Sequence, residues 1–119
     1  MKEYNLDKRL LSFSIAVILF LRKLPNTEEY TVIKHQLIKA STSAGANYEE
    51  SQGASSKADF TNKVRISLKE IREANYWLKV INGILIKNEL NGELEMLIDE
   101  SQELKNILGA ICTKTERKY

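Results

Sequence analysis

The sequence predicts an all-α protein folded as an antiparallel, up-down-up-down four-helix bundle, and three observations carry that expectation. The 119 residues include only five Gly and one Pro, which allows long uninterrupted elements and disfavours the turn-rich all-β folds. Apolar residues recur at spacings of three and four through four separate segments, the period of a helix face. The breaks between those segments are short, so successive helices must lie antiparallel. A chain of this length suits one domain, residues 1–119, with enough buried surface for a single core.

The first helix is expected over about 7–24. Leu10, Phe13, Val17, Phe20 and Leu24 form its inner face, and Pro25 ends it by pushing the preceding residue out of the helical region. Leu11, Ile15, Ile18 and Leu19 make a second apolar stripe beside the first. The second helix is expected over 27–51, opened by Asn26 as cap with Glu29 three residues on. Ile33, Leu37, Ala40, Ala44 and Tyr48 mark its inner side. The run Ala40 to Asn47 is nearly all small residues; it reads either as a loop or as a helix packed closely against a neighbour, and the pattern continuing on both sides favours the helix.

Gln52-Gly53-Ala54-Ser55 is a turn, and Ser56 with Asp59 opens a third helix over 56–87. Phe60, Val64, Ser67, Ile71, Ala74, Leu78, Ile81 and Leu85 alternate by four and three along it, the spacing of a bundle seam. After a turn at Asn88 to Gly92, with Asn91 as the expected cap, a fourth helix over 92–113 repeats the seam through Leu94, Leu97, Ser101, Leu104, Leu108 and Ile111. Lys114 to Tyr119 is expected to fray.

The composition, 43% apolar and 29% charged, is that of a soluble globular protein. The net charge of +2 is unevenly spread: 51–87 is basic (+4) and 88–111 acidic (−5), so these segments are expected to neutralise each other within or between subunits. A lone Cys112 excludes an intrachain disulfide and fits a reducing cytoplasm. The uncharged run Leu10 to Leu21 is shorter than the roughly 20 residues of a bilayer span. Arg22-Lys23-Leu24-Pro25 follows it where a signal peptide would carry a small-residue cleavage site. A buried helix, and no membrane partner, is the better reading.

Chemistry-bearing constellations are missing from the sequence. Di-iron bundles use Glu-x-x-His pairs, but the single histidine, His35, follows Val32 at that spacing. Cys112 reads as a small buried hydrophobe rather than a nucleophile. Gly45 and Gly53 are isolated, so no phosphate-cradling loop is present. The sequence therefore predicts no enzyme, no catalytic residue, no metal or other cofactor and no small-molecule substrate. One surface feature stands out: Arg65, Arg72 and Lys79 repeat every seven residues on the third helix, with Lys69 and Tyr76 in the adjacent row. Cations contact phosphates and an aromatic ring stacks a base, so this stripe is a candidate for RNA or single-stranded DNA. A solvated face, or one paired to Glu95, Asp99 and Glu103 of a neighbouring copy, is the competing reading.

The apolar residues also exceed what one bundle core requires. Ile66, Trp77, Val80 and Ile84 sit off the third-helix seam; with the doubled stripe of the first helix they point to a homo-oligomer interface, or to a helix buried on two sides of one bundle.

Several ordered blocks are similar to a known family: Ser41-Thr42-Ser43-Ala44-Gly45-Ala46-Asn47-Tyr48-Glu49-Glu50, then Ser56-Lys57-Ala58-Asp59-Phe60, Ile66-Ser67-Leu68-Lys69-Glu70 and Glu73-Ala74-Asn75-Tyr76-Trp77-Leu78. From about residue 10 to residue 111 the chain resembles the bacterial four helix bundle proteins, the 23S rRNA-intervening-sequence family. The resemblance implies an antiparallel bundle assembled as a ring-like homopentamer, with no known catalytic activity. A relative, the accessory variability protein of diversity-generating retroelements, binds a reverse transcriptase and nucleic acid through a strongly basic pentamer. A nucleic acid or a nucleic-acid-processing protein is therefore an implied partner, though a net charge of +2 departs from that relative. The family pattern covers Gly45, Asn47 and Glu50, then Phe60, Leu68, Glu70, Tyr76, Trp77 and Leu78, and a cation at Lys39. Gly45 is expected to let two helices approach closely. Asn47 and Glu50, placed inward, are expected to join Asn75 or Tyr76 in a buried polar network that fixes register.

Overall fold

A computed structural model describes residues 5–86 and 89–116, and among them there are four helices and no strand. They are α1 (Leu6–Leu21), α2 (Glu28–Ser51), α3 (Lys57–Ile84) and α4 (Asn91–Glu116). Each packs against its neighbours in chain order, and α1 closes the bundle on α4 through the thinnest of the four interfaces. The predicted seams form the core: Leu10, Phe13, Val17, Phe20 and Leu24 are buried, as are Ile33, Leu37, Ala40 and Ala44, Val64, Ile71, Ala74, Leu78 and Ile81, and Leu94, Leu97, Leu104 and Leu108. On α4, Cys112 is buried while the expected Ile111 is only partly so.

The ends of the helices differ from expectation in physically readable ways. Helix α1 stops at Leu21, three residues early, because the chain tightens before Pro25: Lys23 N donates to Phe20 O at 3.0 Å and Leu24 N to Leu21 O at 3.1 Å. Thr27, not Asn26, caps α2, its hydroxyl accepting from Tyr30 N at 3.4 Å. Asn26 is instead engaged by Lys34, whose Nζ donates to Asn26 Oδ1 at 2.9 Å and Leu24 O at 3.0 Å, pinning the α1–α2 connection. Ser56 caps α3 as expected, accepting from Asp59 N at 3.0 Å, and Asp59 reaches back to accept from Ser55 N at 3.1 Å. Leu85 adopts an extended backbone and ends α3 at Ile84; the expected end at residue 87 lies outside the described residues. Asn91 is inside α4 rather than its cap, with Leu94 N bonded to Leu90 O at 3.0 Å. Of the tail from Lys114 to Tyr119, expected to fray, Lys114 to Glu116 belong to α4, and residues 117–119 lie outside the described residues.

The small-residue run of α2 is continuous helix. Three buried polar bonds each join one successive pair of helices, and the first two of them end on this run. Ser14 Oγ donates to Ser41 O at 2.9 Å (α1–α2), Ser67 Oγ to Ala44 O at 2.6 Å (α3–α2), and Asn75 Nδ2 to Ser101 Oγ at 2.8 Å (α3–α4). A serine hydroxyl reaches a carbonyl of a neighbouring helix only where side chains no larger than Ala and Ser separate the backbones. Each bond gives a buried polar group a partner on another helix, and each is made in one axial register only.

Candidate functional site

The residues expected to form a polar network do not meet. Asn47 is half-buried and donates within its own helix, to Ser43 O at 2.9 Å and Ser43 Oγ at 3.1 Å. Glu50 is exposed and accepts from Lys63 at 3.1 Å. Tyr76 is exposed, leaving Asn75 as the buried member, bonded to Ser101. The reason is angular: Glu50 lies six residues from the core residue Ala44, some 240° around a helix of 3.6 residues per turn, and so faces away from it. The register-fixing polar bonds belong to Ser14, Ser41, Ser67, Asn75 and Ser101 instead.

The five stripe residues, Arg65, Lys69, Arg72, Tyr76 and Lys79, are all exposed along α3, and two of them, Arg65 and Arg72, border α4. Trp77, next to Tyr76 with ring centroids 5.2 Å apart in an edge-to-face arrangement, is half-buried and donates to Glu73 at 3.1 Å. Between α3 and α4 lies a groove of about 420 Å³, lined by Arg65, Leu68, Arg72, Lys105, Gly109 and Cys112 among others. Two of its features escaped the sequence reading. Lys105 is the one cation of the acidic 88–111 stretch, and the fold brings it beside the cations of α3. Gly109 has open space where a side chain would stand, which keeps the groove open. Only a heptad alignment of α4 against α3 could have revealed either.

Lys69, Arg72, Lys79 and Lys105 have no ion pair among the described residues. Arg65 does: its Nε donates to Glu116 Oε2 at 3.1 Å, and its Nη2 bonds the same oxygen. That carboxylate raises the Arg65 pKa. On the groove floor, burial pushes the Cys112 thiol up; Glu116 adds to the shift, and Arg65 and Arg72 oppose it. A buried thiol held protonated suits packing, not nucleophilic attack. Among the described residues no cluster of His, Cys, Asp and Glu is arranged to hold a metal ion, and no helix is long and apolar enough to cross a membrane.

The residues expected at an oligomer interface are spread along α3: Ile66, Trp77 and Val80 are half-buried and Ile84 is exposed. A more continuous apolar surface lies on α1, where Leu11, Ile15 and Leu19 are 61%, 49% and 47% exposed at four-residue spacing. Of the acidic residues weighed as partners for the stripe, Glu95 and Asp99 are exposed, whereas Glu103 joins Glu100 in binding Arg9 of α1. His35 is exposed.

The family model of the 23S rRNA-intervening sequence proteins matches residues 2–110. The chain belongs to that family. Among solved structures, this family member is similar to a protein of unknown function from the S23 ribosomal protein family of Bacteroides thetaiotaomicron VPI-5482. The two are 31% identical over 95% of this chain and 99% of that one, with a TM-score of 0.80. No curated protein matches the chain. Neither the family description nor that of the Bacteroides structure names a catalytic activity.

Proposed function

We propose that this 23S rRNA-intervening sequence protein is a non-catalytic assembly module. Copies of it join in a ring-like homo-oligomer, five to a ring as the family resemblance implies, which works in the cytoplasm and presents a surface to a macromolecular partner. One observation carries the reading: the unpartnered apolar ridge Leu11-Ile15-Leu19 on α1, with Ile66, Trp77, Val80 and Ile84 as further apolar surface on α3. Two separate apolar surfaces on one protomer suit a heterologous contact, in which one copy's ridge meets a different face of the next and the chain of contacts closes into a ring. Ile15→Glu tests it. Ile15 lies outside the core, so the helical fold should persist while sedimentation shows a loss of subunits. Unchanged sedimentation would remove the ridge from the interface.

A second reading is favoured by the exposure of all five stripe residues, two of which, Arg65 and Arg72, meet Lys105 in the α3–α4 groove: an accessory protein that binds RNA or single-stranded DNA through Arg65, Lys69, Arg72, Tyr76 and Lys79, joined by Lys105. Phosphate contacts strengthen as salt falls, so affinity for a single strand should drop steeply between 50 and 200 mM salt, and Arg72→Glu should weaken it. Absence of binding at low salt would refute this reading.

A further inference from the structure

The cations of the α3–α4 groove are not equivalent. Arg72 and Lys105 stand without an ion pair among the described residues, while Arg65, at the end of the row, is held through two of its nitrogens by one oxygen of Glu116. Glu116 lies in the last described turn of α4. That is the negative end of the helix dipole, where a carboxylate is disfavoured and a cation is preferred. Its placement does not serve the helix, and both partners are about half exposed, so the contact is open to displacement. A carboxylate bound by a guanidinium has the geometry with which a phosphodiester oxygen is bound.

We infer that Glu116 is a built-in competitor for the groove: it occupies Arg65 in the free protein and is displaced when the phosphodiester backbone of a single-stranded nucleic acid enters between α3 and α4. The inference rests on the nucleic-acid reading above and adds its regulation. In the free protein the row of cations ends at Arg72; in the complex it extends by one turn pair to Arg65. Affinity is thereby held down, and the contact at Arg65 forms only with a ligand long enough to reach it.

The experiment compares the full-length protein with Glu116→Gln, which keeps the shape of the side chain and removes its charge from an unfavourable helix position. Fluorescence anisotropy is read with labelled 20-nucleotide oligouridine and oligothymidine, in separate arms, across a salt series from low salt upward. Glu116→Gln should bind about two- to fivefold more tightly, the range expected for release of one exposed ion pair. Its salt dependence should be steeper by about 0.7 in log–log slope, one more phosphate contact on a single strand. Adding Arg65→Gln to Glu116→Gln should erase both gains. Equal affinity and slope for the wild type and Glu116→Gln would overturn the inference and leave the nucleic-acid reading standing. Absence of binding by either protein in both arms at low salt would overturn both.

Discussion

Replacing Gly45 by alanine should stabilise the protein, against the expectation that a glycine here lets α1 and α2 touch. Gly45 sits in the middle of α2 with ordinary helical geometry; none of the glycines has a positive φ. A Cβ built on it would lie 3.6 Å from Leu10 Cβ and 3.8 Å from the Leu10 carbonyl carbon and oxygen, all ordinary van der Waals contacts. The methyl group therefore fits, and it restricts the unfolded chain. The expected gain is about 1 kcal/mol, the helix-interior difference between Gly and Ala. Gly109→Ala on α4 is the control: nothing lies within 4 Å of its new Cβ, so it reports backbone propensity alone. Urea unfolding followed by far-UV circular dichroism, at one fixed protein concentration because the proposed association would contribute to stability, should show both midpoints rising by about 0.5 M. A rise for Gly109→Ala with a fall for Gly45→Ala would refute the geometry and restore the close-contact reading.

Other perturbations test the polar interior. Ser101→Ala should cost about 1–3 kcal/mol, because it strips buried Asn75 of the hydroxyl it donates to, whereas Asn47→Ala should cost under about 1 kcal/mol, its bonds being local to α2; chemical denaturation ranks the two. Thr61 is 4% exposed and its hydroxyl has no partner among the described residues, so Thr61→Val should raise stability by up to about 1 kcal/mol, and a fall would mean that the hydroxyl is bonded. Burial raises the pKa values of Cys112, Tyr30 and Tyr48. Groups shifted upward contribute stability that is complete below their unfolded values and lost as pH rises through the folded ones. Stability should therefore decline from about pH 8.5 upward, and Cys112→Ala should remove the first part of that decline. In native protein at pH 8 the Cys112 thiol should react far more slowly with a disulfide reagent than in urea, and equal rates would contradict its burial.

The bundle itself was legible because its physics is local and periodic. Leu10 to Leu24, Val64 to Ile81 and Leu94 to Leu108 repeat at three and four, and each such face has to be covered. Ser56 and Asp59 announced a helix start through chemistry contained within four residues. What escaped depends on which side chains of different helices end up opposite one another. Ser67 and Ser101 were visible as polar interruptions of apolar seams, yet their partners, Ala44 O and Asn75, follow only from interhelical register. The misplacement of Glu50 was avoidable, since its angle from Ala44 is fixed by helix geometry alone. Lys105 was hidden by averaging charge over an acidic stretch, a quantity that says nothing about which neighbour one residue faces. The Arg65–Glu116 bond joins residues 51 apart in sequence, and no local pattern signals it.

The exposed apolar ridge of α1 is the basis for proposing that this bundle does not act alone. Multi-angle light scattering on the eluting protein weighs that claim directly. A mass of about five times the 13.6 kDa protomer is predicted, independent of salt if apolar surface drives assembly. A mass of one protomer at micromolar concentration would contradict it.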